Sequence, residues 1–294
     1  MQKTIRTIND DDFQHVEAMD TGIEDDYIKR VFNRLITGSN RLYGLFLGDQ
    51  MVSLGGSSIY ASRYVMLGRL RTDRRYIGNG FSTELMTHMM NKAFQINGIK
   101  WVGANTQEFN KPARRVMERI GLTPFIPQHA AQTKDTLVLE TGSELWTQVT
   151  DVQQKREWLN KMYSNSTSIF PYECYYSFPV SKDLFQERDL RKWSFYENNL
   201  KTRALITKTD QKKHHYLHAI YPWNDITSQE GLWETISNDY KQLRNQTGEE
   251  TFIWMDLTKE QVNNLPKNHQ FTLPSPWILH GIDKSDWERV QALD

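Results

Sequence analysis

Two glycines and an arginine, in Arg75-Tyr76-Ile77-Gly78-Asn79-Gly80, stand between a strand-like run and an amphipathic helix. The first turn of a helix carries backbone N–H groups without intrahelical acceptors, and the helix dipole makes that end partly positive. Glycines just ahead of it let the backbone wrap closely around an anion, and a phosphate is the usual guest. Arg75 adds a positive charge at the mouth. The chemistry implied is capture of a nucleotide or pyrophosphate. A lone Gly-x-Gly also serves ordinary tight turns, so the elements around it must decide.

The positioning elements are readable. Residues 65–71 have strand-like content. Phe81, Leu85, Met86, Met89, Met90 and Phe94 recur on one face of an α-helix, which Asn97-Gly98 stops in a left-handed turn. Residues 99–104 are a buried-strand candidate, and residues 110–122 a short helix. Asn110 is its N-cap, Pro112 fits its first turn, and Gly121 ends it. Together these make a βαβα unit with a right-handed crossover.

Arg75-x-x-Gly78-x-Gly80, followed one helix and one strand later by Asn110-x-x-Ala113 and Glu118-Arg119-Ile120-Gly121-Leu122, resembles the GNAT superfamily of acyl-CoA-dependent N-acetyltransferases. The resemblance covers residues 1 to about 142 and is strongest over 67–122. It implies a mixed, mostly antiparallel sheet with flanking helices, an α+β or α/β fold. It also implies acetyl-CoA as co-substrate, without a metal, lying between the fourth and fifth strands. The pantetheine arm would run along Leu70, Arg71 and Thr72, with Asn110 and Ala113 opposite. The pyrophosphate would rest on Arg75, Tyr76, Ile77, Gly78, Asn79, Gly80, Phe81 and Ser82. A primary amine of a small molecule then attacks the thioester directly, which calls for a base, an oxyanion donor and often an acid.

The sequence departs from the family at the acid. A tyrosine is common four residues before the glycine that closes the second signature, and that position is Met117. Water, or a hydroxyl such as Tyr60 or Tyr64, would have to protonate the thiolate. Asn105 and Glu108, beyond the fifth strand, are the candidate bases. Glu24, Asp25 and Asp26 sit at the start of the second helix, where acidic residues ordinarily complement the dipole. In the family that segment often lines the acceptor pocket, so Glu24, Asp25 and Tyr27 are the candidate substrate residues. A non-catalytic acyl-CoA-binding sensor or scaffold is the alternative, favoured by Met117.

Composition sets the outer bounds. The 294 residues suffice for two domains, and Lys plus Arg balances Asp plus Glu at 36 each. That balance gives no bulk field for nucleic acid or an anionic membrane. The single cysteine, Cys174, fits a reducing cytoplasm, and no stretch nears the ~20 apolar residues of a membrane span. A cytoplasmic location is the expectation.

Before the glycine turn the pattern reads as a strand over 3–8, a helix from Phe13, a second helix over 25–36 and a hairpin over 42–60. Residues 122–125 and 136–140 would add the last two strands, and a boundary is expected near 145. This gives a GNAT domain over 1–145 and a smaller, degenerate GNAT-like domain over 146–294. In the second, strands over 203–207 and 214–221, a helix from Leu232, a strand over 251–257, a helix over 259–265 and a strand over 277–283 echo the first half. No Arg-x-x-Gly-x-Gly stands between Tyr221 and the helix, so that half lacks the phosphate cradle. It is expected to shape the acceptor site, support the first domain, or mediate a homodimer. His214, His215 and His218 read better as strand or surface residues than as metal ligands, and lone Cys174 as buried and inert.

Overall fold

The computed structural model describes residues 2–164 and 168–292. The chain forms two compact units, Met1–Phe125 with Leu279–Asp294, and Ile126–Ile278. The division therefore falls at residue 125 rather than near 145, and the chain returns to the first unit at its end.

The first unit begins with β1 (Lys3–Thr7), α1 (Phe13–Ala18), α2 (Tyr27–Arg30), α3 (Phe32–Leu35), β2 (Asn40–Leu47) and β3 (Gln50–Tyr60). It continues with β4 (Tyr64–Thr72), α4 (Phe81–Gln95), β5 (Trp101–Gln107), α5 (Lys111–Arg119) and β6 (Thr123–Pro124). The second unit holds β7 (Gln128–Thr133), β8 (Thr147–Val149), α6 (Val152–Met162), β9 (Ile169–Glu173), β10 (Tyr176–Pro179), α7 (Glu187–Lys192) and β11 (Ser194–Glu197). After these come β12 (Ala204–Gln211), β13 (His215–Ile220), α8 (Leu232–Thr247), β14 (Thr251–Thr258) and α9 (Lys259–Asn263). The last elements are β15 (Trp277–Asp283) and α10 (Lys284–Gln291).

In the first unit β1 to β4 pair antiparallel in chain order, β5 joins β4 in parallel, and β15 lies beside β5. Successive strand residues face opposite sides, which splits the core in two. Leu42 and Leu54 pack with Val16, Ile28, Phe32 and Leu35 of the N-terminal helices. Tyr43, Val65 and Leu67 pack with Leu85, Met89 and Phe94 of α4. The single helix expected over 25–36 is two short ones, because Val31 leaves helical geometry at φ −117°, ψ 19°.

The last residues complete this unit. Trp287 of α10 stacks on Phe94 at 4.8 Å between ring centroids. The buried Trp101 indole needs glycine on either side: an added Cβ at Gly103 or Gly281 would lie 2.0 Å from it. Gly103→Ala is accordingly expected to cost about 2 kcal/mol by overpacking, seen as a lowered urea midpoint at unchanged slope.

The second unit repeats the order of the first. β12 and β13 form an antiparallel hairpin, α8 crosses over, and β14 pairs with β13 in parallel. β7 runs antiparallel along the whole of β14, which is why the residues after Phe125 belong here. The strand expected over 136–140 is a 3-10 turn at Leu137–Leu139, started by Asp135 accepting from the Leu137 N–H.

Candidate functional site

The parallel pairing of β4 and β5 stops at Leu67 and Ala104, although β4 runs to Thr72 and β5 to Gln107. Beyond that point the two strands are no longer paired, although both continue. A bulge on β4 marks the same place. Its register against β3 shifts between Leu54 and Gly56, and Arg69 sits at φ 56°. An extra residue in a strand bends it and raises its twist. The Arg69 guanidinium donates to the Ser58 hydroxyl at 2.9 Å, which fixes the bulge from the β3 side.

The glycine turn follows β4 directly. Gly78 and Gly80 lie at φ 91° and 79°, a region costly for residues with a Cβ. Gly80 is the N-cap of α4, and the Glu84 N–H makes the helix's bond back to its carbonyl. A Cβ at either glycine would meet nothing within 4 Å, so the N-terminus of α4 faces open space. At the entrance to the helix the Thr72 and Ser82 hydroxyls are 2.7 Å apart, joining the end of β4 to the first turn of α4. Tyr76 is held by a hydrogen bond to the Gln50 amide oxygen at 2.9 Å and lies 6.3 Å from the Phe81 ring. Ile77 is exposed. Asn79 turns its amide back to the Tyr76 carbonyl at 3.1 Å.

Arg75 does not stand as an isolated charge. Its guanidinium is bidentate on Asp73, at 2.9 Å and 2.6 Å, while Asp73 also accepts the N–H groups of Arg75 and Asp20. The Arg75 bonds are the chief reason the Asp73 carboxyl is held down to about 2. Asp73 is fully buried, so it anchors the turn and tempers the charge that Arg75 offers. This residue was missed in the sequence. Its signal is an aspartate two positions before the N–H it caps, an ordinary Asx turn.

The same holds for Arg71. It donates to both oxygens of Asp26, at 2.7 Å and 3.0 Å, and its guanidinium lies 5.8 Å from the Tyr27 ring centroid. Burial opposes the Asp26 charge, but the bonds from Arg71 and from the Ile28 N–H outweigh it and lower the carboxyl. Asp26 thus caps α2 and ties it to the end of β4. Asp25 is exposed and pairs with Arg30, and Glu24 is exposed. Of the acceptor-side candidates, Tyr27 is the one that the Arg71 contact brings to β4.

Asn105 is the first β5 residue past the end of the pairing, and Glu108 follows the strand, with its carbonyl accepting from Arg114 at 3.2 Å. Both come after the last paired residue of β5. Tyr64 lies at the opposite end of the pairing. It opens β4 opposite Tyr60 and Trp101, six strand residues and roughly 20 Å from Leu70, and it is buried. Asn110 caps α5 by accepting the Ala113 N–H at 3.3 Å, which spends its carbonyl and leaves its amide nitrogen as the donor. Met117 is buried in the core beneath α4 and α5.

The counterpart in the second unit is closed. Gly231 is again a left-handed N-cap, at φ 77°, ahead of α8. Here a Cβ would lie 2.3 Å from the Glu144 carbonyl. The segment over 141–146 covers the helix end. Glu234 in the first turn accepts the N–H groups of Thr141, Gly142 and Ser143, and the Trp146 indole donates to the Glu230 carbonyl at 2.8 Å. The strand split recurs after His218 and Trp254, where the Gln261 amide donates to the Tyr221 and Trp223 carbonyls at 3.0 Å and 2.9 Å. His214, His215 and His218 each meet a carboxylate, of Glu250, Glu249 and Asp256 respectively. Among the described residues no three His, Cys, Asp or Glu side chains are grouped to hold a metal, and no helix is long and apolar enough to cross a membrane.

Residues 5–123 match the family model described as an Acetyltransferase (GNAT) domain. No curated protein sequence matches the chain. Among solved structures, the GCN5-related N-acetyltransferase from Sphaerobacter thermophilus is similar at 12% identity, over 96% of this chain and 95% of that one, with a TM-score of 0.54. A provisionally assigned acetyltransferase from Thermoplasma acidophilum is 15% identical, over 94% and 91% of the two chains, with a TM-score of 0.49. At 12% identity the likeness to the Sphaerobacter thermophilus structure is one of fold.

Proposed function

We propose that the GNAT domain over residues 5–123 transfers an acetyl group from acetyl-CoA to a primary amine of a small molecule, by direct attack in a ternary complex. The observation that carries this reading is the open N-terminus of α4, with two left-handed glycines ahead of it, next to strands that part after Leu67 and Ala104. Such a helix end offers N–H groups and a partial positive charge to a pyrophosphate. The β4 backbone past the split, over Leu70, Arg71 and Thr72, offers main-chain partners to the amides of a pantetheine arm. Asn110 offers its amide nitrogen as a further donor.

In the transfer itself the amine must lose its proton, and the thioester carbonyl must be polarised as the tetrahedral oxyanion forms. Glu108 can take that proton, and Asn105 can orient the amine by accepting a hydrogen bond from it. Tyr64 lies too far along β4 to protonate the departing thiolate, and Met117 has no proton to give. Water is left as the acid. Arg71, tied to Asp26 beside the exposed Tyr27 ring, suits the wall of an acceptor site.

The burial of Met117 also favours a second reading, a domain that binds acyl-CoA without turnover. The two separate in one assay. Incubated with acetyl-CoA and a panel of polyamines, amino acids and aminoglycosides, the enzyme is expected to release thiol with at least one amine and not without it. Tight acetyl-CoA binding with no thiol released by any amine would favour the sensor.

A further inference from the structure

The second unit contains a buried polar cluster that the acetyl-transfer reading does not use. Its centre is Asp256, on β14 just past the point where that strand parts from β13. His218 and Trp254 both donate to the same oxygen, Oδ2, at 2.8 Å and 3.0 Å. The other oxygen, Oδ1, meets no donor among the described residues. Asp256 lines a cavity of about 200 Å³ together with Tyr163, Ile169, Ile220, Tyr221 and Gln128. The Asp256 carboxylate shares this cavity with apolar and aromatic side chains and with the polar residues Gln128, Ser168, Thr258 and Gln261.

The charges around it do not cancel. Asp256, Asp210 and Glu173 set three carboxylates against the two ammonium groups of Lys208 and Lys212. Lys212 is committed to Glu173 and Asp210, at 2.7 Å and 3.4 Å. Lys208 donates to the carbonyls of Pro171 and Tyr172, within an aromatic cage of Phe170, Tyr172 and Trp193. Burial lowers the His218 imidazole, which keeps it neutral, so it adds no positive charge. Burial, with the Asp256 charge, pushes the Tyr163 phenol up, so it keeps its proton and adds no negative charge. One negative charge is left over. His218 is fully buried, and with Nε2–H given to Asp256 its Nδ1 has no partner among the described residues. The network is short of donors, and buried polar atoms are rarely left so.

We propose that this cavity is a binding site for a small alkylammonium ion, held by an ion pair with Oδ1 of Asp256 and by aromatic contact with Tyr163 and Tyr221. The cation supplies both the missing charge and the missing donor. At a water's share of about 30 Å³, the cavity holds roughly six or seven water-sized groups, so the ligand is a short amine and not a nucleotide. An ammonium head takes the carboxylate while its methylene groups lie on Ile169 and Ile220. Aromatic faces add cation–π attraction. An anion would meet Asp256 and be repelled.

The site carries its own reporter, because the Trp254 indole donates to the same carboxylate. In protein labelled with 5-fluorotryptophan, a Trp254→Phe variant identifies the Trp254 fluorine resonance among the nine tryptophans. Titration with n-butylammonium, without acetyl-CoA, is expected to shift that resonance saturably. 1-Butanol should bind at least tenfold more weakly, and butyrate should produce no shift. Asp256→Asn, nearly isosteric, is expected to weaken butylammonium at least tenfold. No saturable shift, equal affinity for amine and alcohol, or unchanged binding by Asp256→Asn would each overturn the site. If Asp256→Asn does not fold, the amine and alcohol comparison on the unaltered protein still decides. Because acetyl-CoA is omitted, the result stands apart from whether the first unit transfers acetyl groups.

Discussion

Gly80→Glu is expected to weaken acetyl-CoA binding at least 100-fold, measured by calorimetric titration. The new side chain has room, since a Cβ at Gly80 meets nothing within 4 Å. It would therefore extend into the space at the end of α4 that the pyrophosphate needs. A carboxylate about 5 Å from one phosphate charge costs roughly 3 kcal/mol at an effective dielectric near 20, and each 1.4 kcal/mol is about tenfold in affinity. The backbone adds a separate effect. Gly80 lies at φ 79°, and a residue with a Cβ there costs about 1–2 kcal/mol of stability. Gly80→Ala shares that strain and lacks the charge, so it should lower the melting temperature as much while losing under tenfold in binding. A Gly80→Glu protein that folds and binds acetyl-CoA as before would sink the cradle, and the proposed transferase with it.

Asp73→Ala is expected to cost about 3 kcal/mol of stability at pH 7. It removes the acceptor of the Asp20 and Arg75 N–H groups and of the Arg75 guanidinium. The Arg75 guanidinium is exposed and returns to water, but the part-buried N–H groups of Asp20 and Arg75 lose their acceptor, and a donor so stranded costs about 1–3 kcal/mol. The same carboxylate predicts a pH dependence. Its folded value of about 2 lies below the ordinary 3.8, so the folded protein favours the ionised form more than the unfolded chain does. The contribution of Asp73 is full above about pH 4 and fades as pH falls toward 2. Urea midpoints should therefore separate the two proteins widely at pH 7 and less at pH 3. A gap as wide at pH 3 as at pH 7 would mean that the ionised carboxylate is not what the turn depends on. Since Asp73 anchors the turn that leads to Gly78 and Gly80, weaker acetyl-CoA binding should accompany the loss of stability.

The first unit was largely legible in the sequence because its signals are local. The apolar face of α4, the left-handed stop after it and the N-cap at Asn110 each need only a few neighbouring residues to be read. The partners of the site were harder. Arg71 and Arg75 look like free cations in the sequence, and only the fold brings Asp26 to one of them and buries Asp73 against the other. Tyr64 was attractive as a hydroxyl, but strand direction places it at the closed end of β4. The misplaced boundary has a similar cause. Gln128–Thr133 is polar and rich in alanine, with little strand propensity, and becomes a strand because β14 pairs with it along its length. α6 is hard to see in the sequence because Trp158, Leu159 and Met162 mark its buried face sparsely. The covered end of α8 could not be read at all, since the segment that covers it lies about 90 residues earlier in the chain.

The return of the last strand to the first unit bears on the order in which this protein is made. A ribosome adding ~5–20 residues per second would release residues 1–125 well before Leu279–Asp283 exist. During that interval the nascent domain carries β5 with an unfilled edge and Phe94 without its stacked Trp287. An open strand edge invites pairing with other chains. The second unit waits as well, since β7 gains its partner only when β14 is made. Folding on the ribosome would then finish with the domain that was translated first, once β15 and α10 are made.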